Sequence, residues 1–172
     1  MEDVLRLIAK AEIEDCLKRY ARGIDRRDWT LARGCFHDDA TDHHGAFHGN
    51  GDEFIAWVSA RHADLPFAMH YLLNCLVEFR TDSLAAVETY FWAIQRSETI
   101  SADGKKAQDH EVFGRYIDRF ENRGDGWKIA QRKVVYDSTR TQPSTQHLRK
   151  IVGLLGRRDA QDPVYALLQA AE

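Results

Sequence analysis

Phe67–Phe79 reads FAMHYLLNCLVEF. Phe67, Met69, Tyr71, Leu73, Cys75, Val77 and Phe79 alternate with Ala68, His70, Leu72, Asn74, Leu76 and Glu78, the period of two that marks a β-strand. The odd-numbered face is apolar from end to end, and the even face also holds Ala68, Leu72 and Leu76. A strand apolar on both faces is buried on both, and one layer of helices covers only one of them. The other face is therefore expected to meet a second subunit, which predicts a homo-oligomer.

Downstream, Leu84–Glu98, Gln108–Asn122 and Trp127–Thr139 read as three more strands. Residues 81–83, 103–105 and 123–126, rich in Asp, Gly and Ser, supply hairpin turns between them. Upstream the period is helical. Ile13, Cys16, Leu17, Tyr20 and Ile24 fall at the i, i+3, i+4 spacing of one helix face. That stripe stops at Gly23-Ile24-Asp25, and Asp28 is placed to cap a second, short helix over Trp29–Gly34. Asp52 suits the cap of a third helix running to Arg61, with Phe54, Ile55, Trp57 and Val58 on its buried side. The polar segment Asp38–Asn50 between them is expected to end in a loop, and Gly45, Gly49 and Gly51 would let it hinge as a lid. Helices first and a long antiparallel meander afterwards is the pattern of an α+β domain. The tail from Pro143 carries two weak helical patterns. The expected division is one domain over residues 1–140 and a helical tail over 141–172 that packs between subunits.

Composition narrows the function. At about 150 residues per domain, 172 residues suit one domain. Lys and Arg number 24 against 27 Asp and Glu, a net charge of −3, which argues against nucleic-acid binding because phosphates demand a cationic surplus. No apolar run approaches the roughly 20 residues of a membrane span. The first residues, MEDVLRLIAKAEIEDCLKRY, are charged throughout and lack a signal-peptide core, so a cytoplasmic protein is expected. Three scattered cysteines, Cys16, Cys35 and Cys75, fit reduced core thiols. Eight histidines and many aromatics (4 Trp, 6 Tyr, 8 Phe) remain as the chemically suggestive surplus.

Four residues stand out. Tyr20 lies on the apolar stripe of the first helix, so its hydroxyl needs a buried partner. Asp25 follows that helix's last apolar residue, where the macrodipole disfavours a carboxylate by about 0.3–1 kcal/mol. His70 sits in a strand that otherwise reads as core. Each has a bland alternative, a solvated turn for Asp25 and a satisfied core histidine for His70. A pairing of the two would change that, because a carboxylate on one ring nitrogen leaves the other as a general base. Arg132, between Ala130 and Val134 on its strand face, is either a surface arginine or a buried cation facing an oxygen. His43, His44 and His48 invite a metal reading, but the surrounding glycines remove the helical geometry that would chelate one, so no metal is expected. His110 reads as a rim residue, and His37, His62 and His147 as surface. No GxSxG, GxGxxG or GxxxxGK[ST] occurs, so no serine nucleophile, dinucleotide or ATP site is suggested.

The segments IEDCLKRYARGIDRRDW, HDDAT, FAMHYLLNCLVEF and GRYIDRFENRGDGWKIAQRKVVYD together resemble the SnoaL-like branch of the nuclear-transport-factor-2-like superfamily, over about Ile8–Tyr136. That resemblance implies a cone-shaped domain with a deep apolar pocket. Within the branch, cofactor-free dehydratases and a dehydrochlorinase use an Asp–His dyad, and Asp25 and His70 match its positions. A tyrosine five residues before the aspartate and an arginine in the last strand, here Tyr20 and Arg132, match the bile-acid dehydratase type. A polar residue that some relatives carry on the second long strand has no counterpart in Phe91-Trp92-Ala93-Ile94.

The expectation is then a cofactor-independent lyase or isomerase acting on a small hydrophobic, cyclic substrate. His70 would remove a proton from carbon, Asp25 would hold the imidazole, and Tyr20 and Arg132 would bind the oxygen or halide. Phe54, Trp57, Leu72, Trp92 and Tyr116 would form the substrate-binding walls. The alternatives are a non-catalytic binding module of the same fold and a structural subunit like the small subunit of ring-hydroxylating dioxygenases. The partners expected are the small ligand and further copies of the chain, as a dimer or trimer.

Overall fold

A computed structural model describes residues 2–101, 104–144 and 152–169. The apolar stripe becomes α1, Asp3–Arg26, burying Ile13, Cys16, Leu17, Tyr20 and Ile24. Arg27 ends it in the left-handed region at φ 57°. Asp28 caps α2, Trp29–Arg33, its carboxylate accepting from the Leu31 N–H at 3.0 Å. The two helices touch at Gly23, where a Cβ would lie 2.7 Å from the Ala32 nitrogen, so only glycine allows this approach.

The segment expected to end in a loop is instead a hairpin, β1 (Phe36–His44) and β2 (Phe47–Asn50), turned at Gly45 with φ 64°. Its alternation is hidden because buried positions include polar residues, His37 and Asp42 beside Phe36 and Ala40. Asn50, not Asp52, caps α3 (Gly51–His62). Its side chain accepts from the Glu53 N–H at 3.0 Å, and Glu53 accepts from the Asn50 N–H at 2.8 Å, a complete capping box. Asp52 pairs with Arg33 instead.

The meander follows as β3 (Phe67–Phe79), β4 (Leu84–Ser101), β5 (Gly104–Asn122) and β6 (Trp127–Pro143). Together they form one curved, open sheet in the order β2-β1-β6-β5-β4-β3, antiparallel except where β1 runs parallel to β6. The fold class is α+β, with the N-terminal helices on the concave face. Strand β3 departs from strict alternation. Leu72 registers with Phe91 but Cys75 with Thr89, so an extra residue enters β3 and the inward parity changes. Above the bulge Ala68, His70 and Leu72 face the helices. Below it Cys75, Val77 and Phe79 pack on the core, leaving Tyr71, Leu73 and Leu76 exposed.

The C-terminal segment is bound to its own chain. Asp162, buried, accepts from the Arg157 and Val164 N–H groups and pairs with Arg26 at 3.1 Å. Tyr165, in α4 (Pro163–Gln169), donates to Asp28 at 3.0 Å. Of the two helical stretches expected in the tail, α4 is the one within the described residues; His147 lies outside them. No helix among the described residues is long and apolar enough to cross a membrane. Cys16, Cys35 and Cys75 are all free thiols.

Candidate functional site

The last turn of α1 presents Asp25, 6% exposed, to β3. One carboxylate oxygen lies 2.7 Å from His70 Nδ1, and the other accepts the His70 backbone N–H at 2.9 Å. Both bonds fix the residue, one through its ring and one through its strand. With Nδ1–H donating to Asp25, Nε2 of the neutral ring is left as an acceptor. The macrodipole cost of a carboxylate at this end is offset by Arg158, whose guanidinium donates to the Ile24 and Asp25 carbonyls at 3.2 and 2.9 Å.

His70 faces a partly enclosed cavity of ≈ 150 Å³. Tyr20, Trp57, Phe91, Tyr116 and Tyr136 supply aromatic wall, with Ile24, Val58, Ala93 and Val112 between them. The polar lining is His44, Arg61, His62, His70 and Gln95. Tyr20 and Tyr116 have ring centroids 5.8 Å apart, edge to face, and burial pushes both phenols up. His62 is buried, in contrast to the surface position expected for it. Its Nδ1 accepts from Arg158 at 2.9 Å and its Nε2 meets the Gln95 amide at 3.3 Å. Burial, then the Arg158 charge, push its pKa down to about 3, so it is a neutral wall group.

Arg132 is entirely buried. It donates to Asp118 through two nitrogens, at 2.8 and 2.7 Å, and lies between the Tyr20 and Tyr116 rings at 4.2 and 4.1 Å. Burial works against its charge, but the Asp118 carboxylate outweighs it and keeps the guanidinium protonated. It stands behind the cavity wall, not in it. The expected role of holding a leaving oxygen directly therefore has no geometric basis for Arg132.

Of the expected walls, Trp57 and Tyr116 line the cavity. Trp92 does not. It lies on the convex face of the sheet, stacked between Tyr71 and Phe113 at 5.1 and 5.7 Å, with its indole N–H donating to Glu111 at 3.1 Å. The neighbours Phe91 and Ala93 point inward, and alternation sends Trp92 the other way. Leu72 faces inward but contributes to a separate hollow with Leu17 and Cys75. Phe54 is fully buried one layer back, against Tyr20, His44 and Trp57.

Gln95, Asp42 and Arg158 lie outside the sequence expectations, while His44 and His62 enter them only as part of a dismissed metal cluster and as a surface residue. Gln95, the first residue after the apolar run Phe91–Ile94, continues the inward parity of Phe91 and Ala93, a signal the alternation contained. His37, also expected at the surface, is buried and donates to the Glu121 carbonyl at 3.0 Å. His110 bridges Ser97 and Thr141 on β4 and β6. Among the described residues no three His, Cys, Asp or Glu side chains converge as a metal site.

A curved, open sheet under N-terminal helices, with an aromatic cavity between them, defines an α+β domain. The chain belongs to the SnoaL-like domain family, whose model matches residues 5–133. Similar solved structures include a candidate scytalone dehydratase from Novosphingobium aromaticivorans, at 18% identity and TM-score 0.71 over 85% of this chain and 93% of that one. The hexachlorocyclohexane dehydrochlorinase LinA-type3 from Novosphingobium barchaimii aligns at 18% identity and TM-score 0.68, over 85% and 97%. The β subunit of a candidate aromatic-ring-hydroxylating dioxygenase from Novosphingobium aromaticivorans aligns at 17% identity and TM-score 0.58, over 77% and 92%. At these identities the likeness is one of fold. No curated protein matches the sequence.

Proposed function

We propose that this protein is a cofactor-independent lyase that eliminates a small leaving group from a hydrophobic, cyclic substrate. The observation that carries the reading is the two-point hold of Asp25 on His70 at the wall of an aromatic cavity. His70 Nε2 takes a proton from a carbon next to a carbonyl, and Asp25 stabilises the imidazolium that forms. Tyr20 and Tyr116 present phenols at the same wall, suited to donating to the oxygen on which charge develops. A cavity of about 150 Å³ accepts a ring the size of benzene, so the reacting part of the substrate is a single ring. A positioned base supplies roughly 10²–10⁴-fold. The reading agrees with dehydratase and dehydrochlorinase structures among the fold neighbours.

The test is turnover of cyclic β-hydroxy and β-chloro ketones by wild type and His70→Ala. Loss of activity in the variant is expected; wild-type rates would remove His70 from the mechanism. The convex face supports self-association as a second part of the proposal. Tyr71, Leu73, Leu76, Tyr90 and Ile117 are exposed there, on a sheet face that no helix among the described residues covers.

A further inference from the structure

Four buried side-chain atoms without a hydrogen-bond partner lie together on the neighbouring strands β1 and β6: both oxygens of Asp42, Nδ1 of His44 and Nη1 of Arg132. Asp42 and His44 are two residues apart on β1, so they share a face, and Asp42 registers with Arg132 on β6. His44 Nδ1 is 3.5 Å from Asp42 Oδ1. Asp42 is 0% exposed, whereas the His44 ring, stacked on Phe54, forms part of the cavity wall.

A carboxylate shut away from water with neither oxygen satisfied is strongly disfavoured unless a positive charge compensates it. The buried charges here do not balance without one more proton. Asp42 and Asp118 are two carboxylates against one guanidinium, Arg132, all three fully buried. The other ionisable neighbours are the phenols of Tyr20 on α1, Tyr116 on β5 and Tyr136 on β6, with Arg61 of α3 at the exposed rim and His62 and His70 across the cavity. None of these reaches Asp42 as the His44 imidazole does, with Nδ1 at 3.5 Å, so His44 is placed to carry the missing proton beside the carboxylate.

We propose that Asp42 and His44 form a second carboxylate–imidazole pair that holds one extra proton, and that His44 delivers it to the leaving group. This rests on the elimination reading above and specifies its leaving group as a hydroxyl. The step balances. The C–H bond breaks toward His70 Nε2, its electron pair forms the carbon–carbon double bond, the C–O bond breaks, and the oxygen takes the His44 proton and leaves as water. Chloride would need no such proton. One cavity would then hold a base backed by Asp25 and an acid backed by Asp42.

Two measurements test it. Side-chain ¹⁵N spectra at neutral pH, assigned with His44→Gln, are expected to show both His44 nitrogens protonated, and Asp42→Asn to remove the second proton while leaving the His70 signals in place. A singly protonated His44 in the wild type overturns the pair. For the role, water and chloride elimination are compared on matched β-hydroxy and β-chloro ketones. His44→Gln is expected to lower the ratio of the two rates by about 10²-fold, the contribution of a positioned acid. An unaltered ratio overturns the donor role. Should His70→Ala leave both rates intact, the elimination reading fails, while the nitrogen spectra still decide the charge on His44.

Discussion

Asp25 grips His70 by ring and backbone at once, with Oδ1 2.7 Å from Nδ1 and Oδ2 2.9 Å from the amide nitrogen. Forty-five residues separate them in sequence, and this carboxylate ties the end of α1 to the start of β3.

Asp25→Asn keeps the volume but offers one acceptor oxygen where two are used. One of the two bonds is lost, so stability is expected to fall by about 1–3 kcal/mol, read from the urea midpoint. Activity should drop by roughly 10²-fold or more. The double variant with His70→Ala should be no slower than His70→Ala alone, because the carboxylate acts through the ring. Additive losses would show that Asp25 has a separate role.

Arg158 joins the tail to the site. It donates to the carbonyls of Ile24, Asp25 and Leu65 and to His62, all within 3.2 Å. Arg158→Ala removes the cation at the end of α1 and leaves buried acceptors unpaired, a loss of about 2 kcal/mol or more. Proteolysis is expected to cut the C-terminal segment more readily in the variant. A segment equally resistant in both proteins would mean that Asp162 and Tyr165 suffice to hold it.

His62 makes stability depend on pH. Its pKa falls from 6.5 to about 3 on folding, so between these values the unfolded chain binds a proton that the folded one refuses. Its contribution is fully present above pH 6.5 and is lost as pH falls toward 3. Between pH 7 and pH 5 this group alone should cost on the order of 2 kcal/mol. His62→Gln should flatten the fall in chemical-denaturation midpoint over that interval, and an unchanged slope would assign the dependence to other groups.

The exposed convex face predicts self-association. Sedimentation should give a mass above the 19.8 kDa of one chain. Leu73→Lys with Leu76→Lys should return it to the monomer while leaving the thermal transition of the fold in place, since both side chains are already exposed. A wild-type monomer would remove the proposal.

Patterning carried the architecture because it is local. The helical stripe from Ile13 to Ile24 and the alternation from Phe67 to Phe79 each declare a period and a buried face, and the Asp28 cap marks a helix start by the bonds it alone can make. Tyr20, Asp25 and His70 were legible as polar groups on apolar elements, and the family resemblance put Asp25 and His70 together. What failed was parity and depth. Trp92 is as apolar as Phe91, and one position along a strand put it on the opposite face of the sheet. The bulge in β3 changed which residues of FAMHYLLNCLVEF face inward, an irregularity that leaves no mark on composition. The hairpin over residues 36–50 was missed because buried Asp42 and half-buried His44 look like solvent-facing residues until β6 places Arg132 beside them. A buried charge is stabilised by partners far away in the chain. Its cost and its compensation therefore exist only once the strands are side by side.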